Sequence, residues 1–538
     1  MKERLYLYDT TLRDGAQTLG VDFSLEDKRV IAERLDALGI DYIEAGYPGA
    51  NPVDTAFFEA PPRLMAKLTA FGMTKRAGRS AANDPGLQAV LQAGADAVCL
   101  VAKSWDYHVQ LALGISGAEN LGSIAASVQA IRDVGREPLI DCEHFFDGYK
   151  ENRAYALACA KTAYEAGARW IVLCDTNGGT LPHEAEEIVA EVARHIPRER
   201  IGIHAHNDTE NAVANTLAAI RAGARQIHGT LNGLGERCGN ANLTSIIPTL
   251  ILKQDYASRF ETGISREALR TLTPLSRQFD ELLNRQPDRH APYVGESAFA
   301  HKGGIHASAV SKEPRTYEHV PPESVGNKRK LLVSNQAGRS NILAELSRGG
   351  MEVDKDDARL AALLDEVKTR EAQGYAYEAS AASFELLARR SFGQVPDYFD
   401  VESFRVMVER RHNAEGELVT VSEAVVKVRI GGELLMNAGE GNGPVHALDQ
   451  ALRRDLGIYQ PSIEHLELVD YKVRILTGGT DAVTRVLIES LDRKTGRRWF
   501  TAGVSPNIVD ASFEALIDSI VFKLWTDGVA PAPPPGRM

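Results

Sequence analysis

Cysteine is scarce in this sequence, and the five present (Cys99, Cys142, Cys159, Cys174 and Cys238) are scattered, odd in number and never arranged as C-x-x-C. That excludes a disulfide scaffold and a thiolate zinc site, and it fits reduced thiols, mostly buried, in a cytoplasmic protein. No run of about 18 apolar residues exists, so no spanning helix and no membrane are expected. The start, MKERLYLYDTTLRDG, reaches charged residues too early for a secretory signal. Basic runs of note are also missing. With 61 basic and 73 acidic residues the net charge is −12, which argues against nucleic acid or an anionic membrane as partner. What remains is the balance of a globular protein, 44% hydrophobic and 25% charged, over 538 residues, too many for one ordinary core.

Short apolar runs alternate with amphipathic segments through the first half. The runs fall at 5–10, 41–48, 67–72, 97–103, 138–145, 169–176, 201–208 and 225–233. Between the first two, SLEDKRVIAERLDALG (24–39) predicts a helix with Ser24 as N-cap, Asp27 at the third helical position and Gly39 as stop. Helices are also predicted over 152–168 and 183–196. Eight strands alternating with helices predict an α/β fold, a (β/α)8 barrel. The runner-up, an open doubly wound sheet, wants G-x-G-x-x-G after the first strand, and that is absent. Past 255 the sequence becomes helical and polar, then turn-rich, with a helix over 363–375. From about 400, FRVMVERR, VTVSEAVVKVRI, HLELVDYKVRIL and AVTRVLIESLD read as strands, and VHALDQALRRDL and ASFEALIDSIVFKLW as helices, a βββα order occurring twice. The expected domains are a barrel over 1–270, a helical linker region over 271–395, an α+β domain over 396–530 and a disordered Pro-rich tail over 531–538.

Histidine is also sparse, 14 in all, yet two stand two apart in IGIHAHND (201–208). In a strand, alternate residues share a face, so His204 and His206 present two imidazoles together. In barrels of this kind chemistry sits at the C-terminal strand ends. There the first strand delivers Thr11, Arg13 and Asp14, the second Glu44, the fifth Asp141, Glu143 and His144, and the sixth Asp175, Thr176 and Asn177. The eighth leads to Glu236, Arg237, Asn240 and Asn242. Two imidazoles and the Asp14 carboxylate make a set that leaves positions open on a divalent ion, Mg²⁺, Mn²⁺ or Zn²⁺. Such an ion beside Arg13 suits a 2-oxo acid, with Arg13 stabilising an alkoxide, Thr176 holding the carboxylate and Glu143 orienting a base or taking a proton. Glu44 either positions a water or pairs with Arg13. His228 reads as a core residue, His144 as wall, Glu236 and Arg237 as an ion pair within their loop, and Asn207 and Asp208 as fixing the imidazoles.

DTTLRDG, H-x-H-N-D and N-G-x-G-E-R-x-G-N, in this order, resemble the family of 2-isopropylmalate, homocitrate and citramalate synthases, metal-dependent barrels that condense acetyl-CoA with 2-oxo acids. GYPGANPVD, LCDTNGGTLP and the stretch from HKGGIHASAV to TYEHVPPESVGNKRK are most similar to the long-type citramalate branch, whose oxo acid is pyruvate. The resemblance implies that Asp14, His204 and His206 are metal ligands, with Asn240 near the ion. It implies that Arg13 and Thr176 contact substrate and that Glu143 is the catalytic carboxylate. His301, with His306 as a lesser alternative, is then the catalytic histidine, supplied across a homodimer and assisted by Tyr317. It further implies that the C-terminal repeat is an allosteric domain, with isoleucine the expected effector. Asp14-Gly15-Ala16-Gln17 departs from the DGEQ of many relatives, and D-C-E-H-F-F-D-G departs from the fifth-strand motif of isopropylmalate synthases. Rival readings are a sister synthase for a larger oxo acid, a lyase on the same barrel, and a non-catalytic amino-acid sensor.

Overall fold

The computed structural model describes residues 2–331, 339–377, 379–412 and 414–533. Eight parallel strands close a barrel: β1 (Tyr6–Asp9), β2 (Tyr42–Gly46), β3 (Lys67–Met73), β4 (Ala97–Lys103), β5 (Glu137–Glu143), β6 (Trp170–Asp175), β7 (Ile201–Ala205) and β8 (Gln226–Gly229), with β8 pairing back onto β1. Helix Leu25–Leu38 forms where its punctuation places it. Ser24 and Asp27 make a reciprocal capping box, and Gly39 ends the helix at φ 100°. The expected strands over 138–145, 201–208 and 225–233 stop short. His144 turns to φ 53°, His206 leaves the ladder to bridge Asn240, and Leu231–Gly233 winds into a short 3₁₀ turn.

Period-two alternation sorts the barrel interior by height. Tyr6 and Trp170 meet edge-on at 5.3 Å near the strand starts, with Arg169 over the Trp170 ring at 3.8 Å. Tyr8, Tyr42, Cys99, Leu139 and Val172 form one buried apolar cluster above them. The next inward positions are titratable: Glu44, Asp141, His204 and His228, all buried. The apolar levels seal one end, so the polar groups converge at the C-terminal mouth.

By contacts the chain forms two units. One runs up to Phe299 and takes in His319–Arg329; the other comprises Ala300–Glu318 and the chain from Lys330 onward. Residues after 270, expected to open a linker region, add helix Leu272–Leu282 to the barrel core through Leu272, Leu275 and Phe279. In the second unit each half of the repeat has a third strand that the sequence reading did not name. Sheet β9 (Asp400–His412), β10 (Leu418–Ile430), β11 (Glu433–Gly441) is followed by helix Pro444–Arg454, and sheet β12 (Leu466–Ile475), β13 (Thr484–Asp492), β14 (Arg497–Ser505) by helix Ile508–Thr526. Of the expected tail, Ala532 is held by a 2.6 Å bond from its N–H to Tyr459 OH; residues 534–538 lie outside the described residues. No helix among the described residues is long and apolar enough to cross a membrane.

Candidate metal centre and active site

The turn after β1 is fixed before it bears any chemistry. Asp9 accepts from the Thr11 N–H at 2.9 Å and the Thr11 hydroxyl at 2.8 Å, and Thr11 Oγ1 accepts the Leu231 N–H at 2.9 Å, tying the first strand end to the eighth. Burial pushes the Asp9 carboxyl up to about 7 against these bonds. Lys28, buried beneath, donates to the carbonyls of Leu12 at 2.9 Å and Ala45 at 2.8 Å and pairs with Asp54. One ammonium thus holds the residues next to Arg13 and Glu44. Lys28→Met leaves the Asp54 charge buried and unpaired, and is expected to cost about 3–5 kcal/mol, read as a lower urea midpoint at unchanged slope.

Arg13 is gripped from two sides. Its Nε donates to Glu44 Oε1 at 2.6 Å, and its guanidinium lies 3.9 Å over the Phe71 ring. Glu44 Oε2 accepts from Tyr8 OH at 2.7 Å. Of the two roles read for Glu44, the structure shows the pairing. Burial works against the Arg13 charge, but the carboxylates of Glu44, Asp14 and Asp141 outweigh it and hold the guanidinium more firmly protonated.

Asp14, 1% exposed, turns Oδ2 toward His204 Nε2 at 3.2 Å, His206 Nε2 at 3.8 Å and Arg13 Nη1 at 3.5 Å. The three side chains offer ligand atoms all within 4.8 Å of one another. Burial opposes the Asp14 charge, yet Arg13 and the two imidazoles hold its carboxyl well below the usual carboxylate range. Burial, with His204 beside it, lowers His206 to about 4, so its ring is neutral near pH 7 and free to donate an electron pair. Among the described residues, four buried atoms here have no hydrogen-bond partner: Asp14 Oδ1, His206 Nδ1 and both side-chain polar atoms of Asn240. Unpartnered donors and acceptors are costly when buried. Their convergence with a mixed N/O set fits a divalent cation and its ligands. Asn240 is delivered by the β8 loop, whose N–H from Asn240 meets Gly233 O at 3.1 Å. Gly239 turns that loop at φ 91°, where an added Cβ would stand 2.0 Å from Gly233 O.

Orientation of His204 comes from a residue that the sequence reading took for packing. His228 is buried and stacked on Tyr8 at 3.9 Å and 7°, but its Nδ1 also faces His204 Nδ1 at 3.4 Å, while its Nε2 meets Gln226 Oε1 at 3.1 Å. With the Gln226 carbonyl accepting from His228 Nε2–H, His228 Nδ1 accepts from His204, and His204 Nε2 faces Asp14; burial works against the imidazolium, but the Asp14 carboxylate outweighs it and raises His204. Asn207 and Asp208 do not do this among the described residues. Asn207 Oδ1 accepts the Ala212 N–H, and Asp208 pairs in two bonds, at 2.8 and 2.9 Å, with Arg237. Arg237 was expected to pair with Glu236. That carboxylate stands at 3.6 Å and is the lesser partner, because Asp208 offers both oxygens to the guanidinium fork.

On the facing wall Glu143 is paired with Lys103. His144, wall as expected, gives its N–H to Thr176 Oγ1 at 2.8 Å, which leaves the Thr176 hydroxyl proton to donate elsewhere. Asp141 Oδ1, one level deeper, has no hydrogen-bond partner among the described residues, and burial, followed by Glu44, pushes this carboxyl up to about 6 against His204 and Arg13. The remaining site residues belong to the second unit. His301 Nε2 lies 3.4 Å from Glu318 Oε1, and Tyr317 stacks on His306 at 4.1 Å. Four cysteines are buried and Cys238 is exposed.

Residues 4–274 match the family model described as HMGL-like, 293–374 the homocitrate synthase post-HMGL domain-like model, and 378–524 the LeuA allosteric (dimerisation) domain. An (R)-citramalate synthase of Aquifex aeolicus is 50% identical over 98% of this chain and 99% of its own, and one of Synechocystis sp. is 48% identical over 97% and 96%. A hydroxymethylglutaryl-CoA lyase of Pseudomonas aeruginosa, among solved structures, covers 53% of this chain and 95% of its own at 21% identity and a TM-score of 0.45. The barrel is thus that of an HMGL-like enzyme joined to a LeuA-type allosteric domain. The chain belongs to the (R)-citramalate synthase family, acyltransferases whose reaction is the condensation of acetyl-CoA with pyruvate. Membership of an enzyme family sets aside the sensor reading.

Proposed function

We propose that this protein condenses acetyl-CoA with pyruvate and that water then cleaves the thioester, giving (R)-citramalate and CoA and supplying isoleucine synthesis, with Asp14, His204 and His206 as ligands of a divalent ion and Asn240 beside it. The observation that carries the reading is the buried cluster of these side chains, with its unpartnered atoms, next to Arg13. Bound there, the cation supplies Lewis acidity to a ketone oxygen. Arg13 aims its remaining N–H donors at the alkoxide that forms on attack. Thr176 donates its hydroxyl to the substrate carboxylate, as the N–H of His144 on its oxygen favours. Glu143 and His301 share the proton work at the acetyl methyl, His301 oriented by Glu318, and Tyr317 assists. We place the protein in the cytoplasm as a homodimer in which His301 serves the partner's barrel, and assign isoleucine as the effector of the LeuA-type domain.

Thiol release from acetyl-CoA with a panel of 2-oxo acids tests the substrate. Pyruvate is expected to be fastest, and a preference of about tenfold for 2-oxoisovalerate would move the assignment to leucine synthesis. His301→Ala is expected to lower kcat by about 10²–10⁴-fold with metal affinity retained. Loss of the metal in that variant would remove His301 from the proton work. Isoleucine, added to the full chain, is expected to inhibit; inhibition by leucine alone would reassign the effector.

A further inference from the structure

Loop 74–80, which leaves β3, reads TKRAGRS: three cations within five residues of a chain whose net charge is −12. It departs from the C-terminal end of the barrel, where Arg13, Glu44, Glu143 and His204 gather. Four residues before Lys75, Phe71 of the same strand lies under the Arg13 guanidinium. At about 3.3 Å per residue, Lys75 stands at most roughly 13 Å along the chain from that contact.

The loop backbone is held at two points. Lys75 N–H donates to Ser127 Oγ at 2.9 Å, and Ser127, fully buried, donates in turn to Ser123 O at 2.7 Å. Arg76 N–H donates to Asp84 Oδ2 at 2.7 Å, and Asp84, 2% exposed, takes the Leu87 N–H on its other oxygen at 3.1 Å. The cationic ends are treated differently. Lys75 Nζ meets the neutral Ser123 hydroxyl at 3.2 Å, Arg76 and Arg79 are exposed, and none of the three reaches ion-pair distance of a carboxylate among the described residues, the Asp84 carboxylate beneath the loop being a charge that acts on Arg76. Elsewhere on the same barrel Arg4, Arg153, Arg221, Arg225 and Arg237 have carboxylate partners, and Arg132, Arg136 and Arg169 end on backbone carbonyls. Three like charges on an anchored backbone repel one another, and the arrangement becomes favourable when a multiply charged anion sits among them. Pyruvate carries one charge and has its own donors at Arg13 and Thr176. The other substrate ends in a pyrophosphate and a further phosphate, far along its arm from the reacting thioester.

We infer that the Lys75–Arg76–Arg79 loop binds the nucleotide phosphates of acetyl-CoA, holding the far end of the coenzyme while its thioester reaches the Arg13 and Glu143 wall. This rests on the proposed condensation, and the test separates the two. The triple variant Lys75→Gln, Arg76→Gln, Arg79→Gln keeps both backbone anchors, and an unchanged urea midpoint checks its fold. Two acyl donors are compared: acetyl-CoA and S-acetylpantetheine, which has the thioester and arm without phosphates. The wild-type preference for acetyl-CoA, as a ratio of kcat/KM values, is expected to fall about tenfold to a hundredfold in the variant, with a flatter salt dependence. Calorimetry with CoA alone should show a weaker Kd by a similar factor. An unchanged donor ratio and an unchanged CoA affinity would overturn the inference. Should the wild type release thiol from neither donor, the condensation fails, and CoA binding alone decides the loop: weaker Kd in the variant upholds it, equal Kd overturns it.

Discussion

Asp14→Asn is expected to remove the bound metal and about 10³-fold of the activity together, measured as metal content after gel filtration and as thiol release with pyruvate. The substitution keeps volume and removes the one anionic oxygen set that His204, His206 and Arg13 share. Without it the site keeps two imidazoles but no charged ligand, beside a guanidinium already paired with Glu44, and its hold on a cation is lost. His204→Ala should behave alike, since its Nε2 points at the same carboxylate. Extensive chelation of the wild type should reproduce both effects, and readdition of the ion should reverse only the chelation. Fully active, metal-free, chelator-indifferent protein would sink the ligand assignment.

Arg13→Lys, nominally conservative, is expected to lose about 10²–10³-fold in kcat, the scale of a missing donor at a developing alkoxide. Arg13 uses Nε on Glu44 and its planar face on Phe71, and still has N–H groups to spare. A lysine ammonium has neither the fork nor the flat face, and would be drawn onto Glu44 and away from the substrate. Metal affinity separates roles. If it holds while kcat falls, Arg13 acts on the reacting oxygen; if both collapse together, Arg13 builds the site.

Local signals were the legible ones. Ser24, Asp27 and Gly39 bracket a helix because capping is decided within four residues, and H-x-H points to one site although the strand ends at Ala205, because His206 bridges to Asn240 and still brings its Nε2 to Asp14. The Asp14 partner was reachable because barrels gather strand ends. What escaped was decided across space. His228 looks like packing in the string QIHG; its contact with His204 joins neighbouring strands 24 residues apart. Asp208 takes Arg237 from 29 residues on, so adjacency of Glu236 and Arg237 misled. Strand β11 hid behind Asn437, Gly439 and Gly441, residues poor in strand propensity; Gly439 and Gly441 let helix Pro444–Arg454 approach, and Asn437 bonds to Asp455 O. Lys28 carries no local signal, because its partners, two carbonyls and Asp54, lie 16, 17 and 26 residues along the chain.

The aromatic seal at the strand starts has a bearing on where change is tolerated. Trp170, Tyr6 and Arg169 pack together across the closed sheet at the end remote from Asp14. Pocket-widening substitutions around the mouth, made to admit bulkier ketones, therefore start from a scaffold anchored elsewhere, and the upper rim is where an engineer has latitude.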